Sequence, residues 1–409
     1  MLVRSPYASL VLILLLTSSS GLSPSSSAYY RSNFPLSTFG SATQDSTVSG
    51  RLLHPSFVEC GSLLIPNVVA GTINWGESSP SVESYPSGAF FDVAERYSTS
   101  PMVALGMGWG TTEELFKGSA SSCTVGTKFT PTPWRKKPSD VVEAALRSRD
   151  RLGVDKIPLY SIHMPDLFDN GLDEVYWDGM VECVERGIVE NVGVSNYGST
   201  LLRRAHGYFR ERGVDLAANQ IHYSLLYNGK SEECRKTAAE LGVTTFGYQG
   251  LAMGLLTGSY NKYYIMKHLS SYGLTAADGY RLADVDAAMP TKYKKNGRSF
   301  LETRDLQKYA ATSGVDALVA EMVKVGVKHG KTVAQVAVNY CVCKGVVPIV
   351  GCSTLQQFHS NLGGGGDWRL DDEDVARLEA VQVARFDGAG FKRSEGKFVG
   401  YGEKKWSLD

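Results

Sequence analysis

No charge of either sign dominates this 409-residue sequence: lysine plus arginine number 42, and so do aspartate plus glutamate. Without a basic face there is no electrostatic footprint for nucleic acid or an anionic membrane, so the expected partner is a small molecule. Cysteine is sparse and odd in number, at 60, 123, 183, 234, 341, 343 and 352. None of these forms a C-x-x-C pair, which argues against a disulfide framework and against a metal site and fits a reducing compartment. Cys341 and Cys343 read as small core or groove residues. Long apolar runs are missing as well: Ala8 to Leu16 falls far short of the about 20 residues that a membrane span needs. There is no G-x-S-x-G, no P-loop, and no G-x-G-x-x-G opening a helix.

The short apolar run does have a reading of its own. Arg4 precedes it and Ser26-Ser-Ala28 follows with small residues, as in a signal peptide. From Tyr29 to about Arg51 the chain is rich in serine and threonine and carries one acid, Asp45, which is a transit-like composition. A signal followed by a transit segment resembles bipartite plastid presequences; secretion or the endomembrane system is the alternative. Residues 1–50 are therefore expected to be a presequence, 51–390 the folded domain and 391–409 a tail.

Eight apolar, β-rich runs follow, beginning near residues 67, 89, 124, 159, 192, 216, 243 and 346. Amphipathic helical stretches separate most of them, such as Ser139 to Leu152 with Ser139 as N-cap, Val175 to Arg186, Ser199 to Arg212, Ser231 to Leu241 and Ala317 to His329. Strands apolar on both faces that alternate with helices predict a parallel sheet, and eight of them predict an α/β fold, the (β/α)8 TIM barrel. In that fold chemistry sits at the C-terminal ends of the strands. Asp92, Lys128, His163, Ser195, Gln220 and Tyr248 all fall there, and Tyr97 follows Asp92 by five residues. The glycine run Gly363 to Gly366 follows no strand and reads as a flexible loop.

Reducing a carbonyl with hydride builds negative charge on oxygen, which calls for a proton donor. Tyr97 is the candidate donor. Its phenol, with an ordinary pKa of about 10, is expected to become a readier acid beside the cation Lys128, itself held by Asp92. His163 would supply a second hydrogen bond to the carbonyl oxygen. A nicotinamide would perform the hydride chemistry.

With this set in view, the sequence resembles the aldo-keto reductase superfamily over roughly Phe57 to Val383. Asp92 and Tyr97 match its Asp-Thr-Ala-x-x-Tyr motif, with Val93 in place of threonine; Lys128 matches the Thr-Lys strand end and His163 the apolar strand ending in histidine. Gly187 to Asn196, Asn219-Gln220, Tyr248 to Gly258 and Pro348 to Asn361 match the cofactor segments. Thr127 to Arg135 and Asn219 to Tyr227 look most like plastid-type members. The resemblance implies NADPH, with NADH as the alternative, bound among Gly71, Thr72, Ser195, Asn196, Gln220, Tyr248 and Leu251. Gly351, Ser353, Gln357 and Asn361 would hold the adenosine phosphate. Trp75, Trp134 and Tyr223 are candidate walls of the substrate pocket.

The sequence also departs from that pattern. Only Gly76 to Gly88, with two prolines and no helical periodicity, separates the first two barrel strands, and Thr112 to Lys117 can give only a short second helix. The first and second barrel helices are expected to be missing or shortened, leaving apolar barrel surface that neighbouring segments must cover. Residues 102–109 form an unusual insertion, and Tyr260 to Arg304 a long connection at the substrate rim. Ser353 replaces an arginine that many NADPH-dependent members carry. Two other functions are consistent with the residues: a nicotinamide-sensing regulatory protein that turns over slowly, and a lyase forming a Schiff base on Lys128.

Overall fold

A computed structural model of the chain describes residues 57–76, 79–97, 109–119, 122–166, 170–258, 315–352 and 354–381. The expected presequence and tail, residues 102–108, the 260–304 connection and Ser353 lie outside the described residues.

A hairpin comes first, β1 (Phe57–Cys60) and β2 (Leu63–Pro66), turning through Gly61 at φ +59°. Eight parallel strands then close into a barrel: β3 (Val69–Gly71), β4 (Ala89–Asp92), β5 (Cys123–Phe129), β6 (Ile157–Ile162), β7 (Val189–Ser195), β8 (Leu216–His222), β9 (Thr244–Tyr248) and β10 (Val346–Gly351), with β10 pairing both β9 and β3. The expected TIM barrel is therefore present. The hairpin was not foreseen. Cys60 and Ile65 pack with Phe90, Leu159, Ala217, Phe246 and Ile349, so it seals the end of the barrel opposite the strand C-termini.

From β5 onward, helices alternate with strands as the apolar periodicity requires: α2 (Pro138–Leu152), α3 (Asp173–Glu185), α4 (Ser199–Glu211), α5 (Gly229–Glu240), then α6 (Val315–His329) and α7 (Val333–Cys343) before β10. Two more, α8 (Leu355–Leu362) and α9 (Asp372–Ala380), follow it. Ser139 is not the N-cap of α2. Pro138 takes the first helical position, where its missing N–H costs nothing, and the Asp140 carboxylate accepts the backbone N–H groups of Lys136 and Lys137 at 2.7 and 2.9 Å.

Between β3 and β4, the described residues form one 3-10 turn, Val82–Ser84; between β4 and β5 stands the four-residue helix α1 (Thr111–Glu114). Among the described residues the two early helices are thus reduced as expected, and an aromatic cluster covers the barrel face there. Trp75 stacks on Phe116 with ring centroids 5.9 Å apart, and Tyr85 meets Phe91 and Phe358 edge-on at 5.2 and 4.7 Å. All five rings are buried, with Val93 among them. The barrel face that a helix would cover is covered by side chains instead. Trp75 therefore faces this outer core rather than the substrate mouth, with its Nε1–H donated to the Cys352 carbonyl at 2.8 Å. The small α1 is pinned by Glu113, whose buried carboxylate accepts from Thr127 Oγ1 and Arg151 Nε, each at 2.6 Å. Burial raises the pKa of that carboxyl, with Arg151 opposing the shift.

The glycine run is not a loose loop. Carbonyls of Gly363, Gly364 and Gly365 accept from Trp368 Nε1, Asn339 Nδ2 and Asn67 Nδ2 at 2.7–2.8 Å. A Cβ on Gly364 would lie 2.6 Å from Val338, and one on Gly365 would lie 2.4 Å from Asn67 and Val68. Glycine is needed because backbone packs directly against α7 and the entry to β3.

Candidate active site

β4 and β5 lie side by side in register, Asp92 opposite Gly126, so the next residues of each strand reach the barrel mouth together. Lys128 is buried there, and its ammonium donates to Asp92 Oδ1 at 2.6 Å and to the Val93 carbonyl at 2.7 Å. An ammonium cut off from water at this depth survives only with such partners. Even so, burial pulls the Lys128 pKa down, while Asp92 pushes it back up.

The phenol of Tyr97 sits over this pair, 3.3 Å from Asp92 Oδ2 and 3.4 Å from Lys128 Nζ. His163, from the end of β6, meets the Tyr97 ring edge-on with centroids 5.6 Å apart. The tetrad of Asp92, Tyr97, Lys128 and His163 therefore converges on one mouth. The readier-acid expectation for Tyr97 is met by opposing forces: burial, then the negative charge of Asp92, raises its pKa well above the ordinary phenol value. The phenol accordingly holds its proton at neutral pH. Burial first, then Lys128 and Arg96, lowers the His163 pKa well below the ordinary value, so its ring is neutral.

A second set of residues, not singled out in the sequence, fixes this mouth. Glu95, two residues before Tyr97, is buried and paired through both oxygens with Arg135. It also accepts the Thr130 backbone N–H at 2.7 Å, while its carbonyl accepts from Gly110 at 2.6 Å. The Arg135 guanidinium lies over the rings of Trp109 and Phe129 at 5.1 and 4.9 Å. One ion pair thus ties the Tyr97 segment to the end of β5. Its sequence signal was an acid inside the Asp-to-Tyr motif and an arginine seven residues beyond Lys128.

Beside the tetrad, β7, β8 and β9 bring their polar ends together. Ser195 Oγ donates to the Gln220 carbonyl at 2.9 Å, and Asn196 Nδ2 donates to Ser195 Oγ and to the His163 carbonyl, both at 3.0 Å. Asn196 holds φ at +66°, left-handed backbone that asparagine tolerates better than most residues. Its Oδ1 accepts from Tyr248 OH at 2.9 Å. Tyr248 is half-buried and Gln220 nearly buried. On the other side of the mouth, Gly71 pairs with Asp92 and Gly351, and the Thr72 hydroxyl is taken by the Asp92 carbonyl at 2.8 Å. Gly351 ends β10, exposed; Gln357 lies in the first turn of α8, its N–H on Thr354 Oγ1, and Asn361 is buried against Cys352 Sγ. Leu251, half-buried, follows β9.

The two remaining wall candidates part company. Trp134 is 66% exposed on the rim. Tyr223 is fully buried behind β8, its hydroxyl donated to Glu232 at 2.8 Å, so it belongs to the barrel-to-helix core. Among the described residues no cluster of His, Cys, Asp and Glu could hold a metal ion, and all seven cysteines are free.

A closed parallel barrel with an acid, phenol, ammonium and imidazole at its C-terminal mouth defines a class of oxidoreductases. The chain belongs to the Aldo/keto reductase family, which its residues 87–383 match. It is 31% identical over 349 residues to the chloroplastic pyridoxal reductase of Arabidopsis thaliana, covering 79% of this chain and 84% of that one. It is 29% identical to an aldo-keto reductase of Strobilurus tenacellus, over 67% of this chain and 74% of the relative. The fold is also similar to the solved aldo-keto reductase of Bombyx mori in complex with NADP, with a TM-score of 0.54 at 20% identity, covering 80% of this chain and 93% of that one.

Proposed function

We propose that the protein reduces a small aldehyde or ketone to the alcohol with NADPH, Tyr97 giving the proton. The observation that carries this reading is the approach of Tyr97 OH, Lys128 Nζ and the Asp92 carboxylate within 3.4 Å of one another at the barrel mouth. When bound, the nicotinamide supplies hydride. The residues present suit it: the half-buried Tyr248 offers a flat face. Both Asn196 amide hydrogens are engaged and its Oδ1 already accepts from Tyr248 OH, so it can offer a carboxamide NH2 only its second lone pair, while the Gln220 amide can donate to the carboxamide oxygen. NADPH is preferred on the strength of the family, with NADH the alternative.

Tyr97 does the acid work. Its proton is held by burial and by Asp92 until negative charge grows on the substrate oxygen; the adjoining Lys128 then stabilises the phenolate left behind. His163, neutral, can donate to the same oxygen without a charge of its own to desolvate. Asp92 keeps Lys128 oriented and charged against the pull of burial.

An aromatic aldehyde of the pyridoxal kind is the proposed substrate, by likeness to the Arabidopsis thaliana relative. The regulatory alternative drew on the reduced early helices; the aromatic cluster that replaces them favours an intact enzyme. Tyr97→Phe is the decisive variant. Removing a positioned general acid should lower kcat by roughly 10²–10⁴-fold with NADPH binding intact, and wild-type turnover by Tyr97→Phe would refute Tyr97 as donor.

We further propose that residues 1–50 direct the chain to a plastid. A fluorescent protein fused behind this segment should enter plastids in cells of the source organism; export through the secretory route would point to the alternative.

A further inference from the structure

Three of the four tetrad side chains leave the backbone at positions that one buried ion pair ties together. Glu95 stands two residues before Tyr97, and its carboxylate accepts the backbone N–H of Thr130, two residues after Lys128, at 2.7 Å. Arg135 Nη1 donates to the Thr130 carbonyl at 3.0 Å while the guanidinium grips both Glu95 oxygens. Thr130 is thereby held at both its backbone groups. Phe129, between Lys128 and Thr130, gives its carbonyl to the His163 backbone N–H at 2.8 Å, and its ring faces the same guanidinium.

The pair is fastened from its other sides too. The Glu95 carbonyl accepts from Gly110 and the Trp109 ring faces Arg135, so the chain that departs after Tyr97 comes back against the same two residues. From the outer layer, Tyr176 of α3 donates its hydroxyl to the Arg135 carbonyl at 3.1 Å. Neither Glu95 nor Arg135 is bonded to the reacting groups: among the described residues, Tyr97 OH and Lys128 Nζ bond to each other, to Asp92 and, for the lysine, to the Val93 carbonyl. Stability alone does not account for the pair, because apolar side chains of similar volume commonly serve a core as well as a buried ion pair does. What apolar side chains cannot do is hold an N–H and a C=O of one residue in fixed register.

We infer that Glu95 and Arg135 are positioning residues for the proton donor: together they fix the backbone of Tyr97 against that of Lys128, so that the phenol stands over the ammonium before substrate arrives. This rests on the reading of Tyr97 as donor. A displacement of about 1 Å at a catalytic group can cost about 100-fold in rate although the altered residue touches no reacting atom. The proposed cofactor contacts Ser195, Gln220 and Tyr248 leave from β7, β8 and β9, away from the pair, so its loss should fall on the chemical step and not on NADPH binding.

The test compares the full chain as wild type, as Arg135→Lys, and as the double variant Glu95→Leu with Arg135→Met. A fluorescence titration with NADPH counts binding sites, and turnover of an aromatic aldehyde is expressed per bound NADPH, which removes any share of unfolded protein. The double variant fills the space without charge, so its urea midpoint should match or exceed that of the wild type. Its kcat per site should nonetheless fall about 10- to 100-fold, with the NADPH dissociation constant unchanged, a split that a merely structural role would not give. Arg135→Lys keeps the charge but offers one point in place of a fork; it should lose kcat per site in the same direction by less, and it decides the matter if the double variant does not fold. Wild-type kcat per site in the double variant, or in Arg135→Lys where that variant decides, would overturn the inference and leave Tyr97 as donor. A loss confined to NADPH affinity would overturn it too. A wild type that binds NADPH yet reduces no aldehyde would overturn the donor reading and this inference with it.

Discussion

At the scale of single residues, the site is governed by what burial does to ionisable groups. Lys128, Tyr97 and His163 all have pKa values displaced toward their uncharged forms, burial being the first cause each time, and for the lysine Asp92, with a smaller contribution from Glu113, opposes it. Two histidines, His163 and His222, are held neutral in the folded state. Their folded pKa values lie below the unfolded value of about 6.5, so the unfolded chain takes up protons that the native state refuses. The stability they contribute is complete above that pH and lost as pH falls below it. Urea midpoints should therefore drop between about pH 7.5 and about pH 5.5, and the drop should be smaller in His222→Phe. Equal drops in the two proteins would show that His222 does not titrate on unfolding. The tetrad itself was legible in the sequence, because each member ends a recognisable apolar strand or follows one closely. Glu95, Arg135 and His222 were not: an acid inside the Asp-to-Tyr motif and an arginine seven residues past Lys128 are visible, but spacing alone does not say that the two meet across 40 positions.

At the scale of elements, the eight barrel strands were legible because β-branched and aromatic residues in short runs have no other stable home than a sheet covered on both sides. The β1–β2 hairpin was hidden: its strands are four residues each, and their alternation is spoiled by the seal they make on the barrel floor. The shortened helices could be read from prolines and lost periodicity, but the replacement could not. Trp75, Tyr85 and Phe116 lie on three separate irregular stretches, and only the closed barrel brings them together around Phe91. This cluster does the work of a helix, so it should be as sensitive as any core. Trp75→Ala should cost about 3–5 kcal/mol in denaturant unfolding, the range for truncating a buried aromatic, and also free the Cys352 carbonyl it holds. A loss below about 1 kcal/mol would mean the cluster is surface decoration.

At the scale of the whole molecule, one end of the barrel is sealed by the hairpin and the other carries every group proposed to touch cofactor or substrate. The division matches the general rule for this architecture, stability at the floor and chemistry at the mouth. Where the described residues show the early helices reduced, the apolar barrel surface is covered by side chains from loops, most of them aromatic. The central claim is that hydride passes from a nicotinamide to a carbonyl at this mouth. Its most direct measurement is a single turnover of the protein with NADPH deuterated at the hydride-bearing ring carbon and an aromatic aldehyde, the product analysed by mass spectrometry. The predicted result is an alcohol carrying deuterium on the former carbonyl carbon. No alcohol, or alcohol without the label, would contradict it.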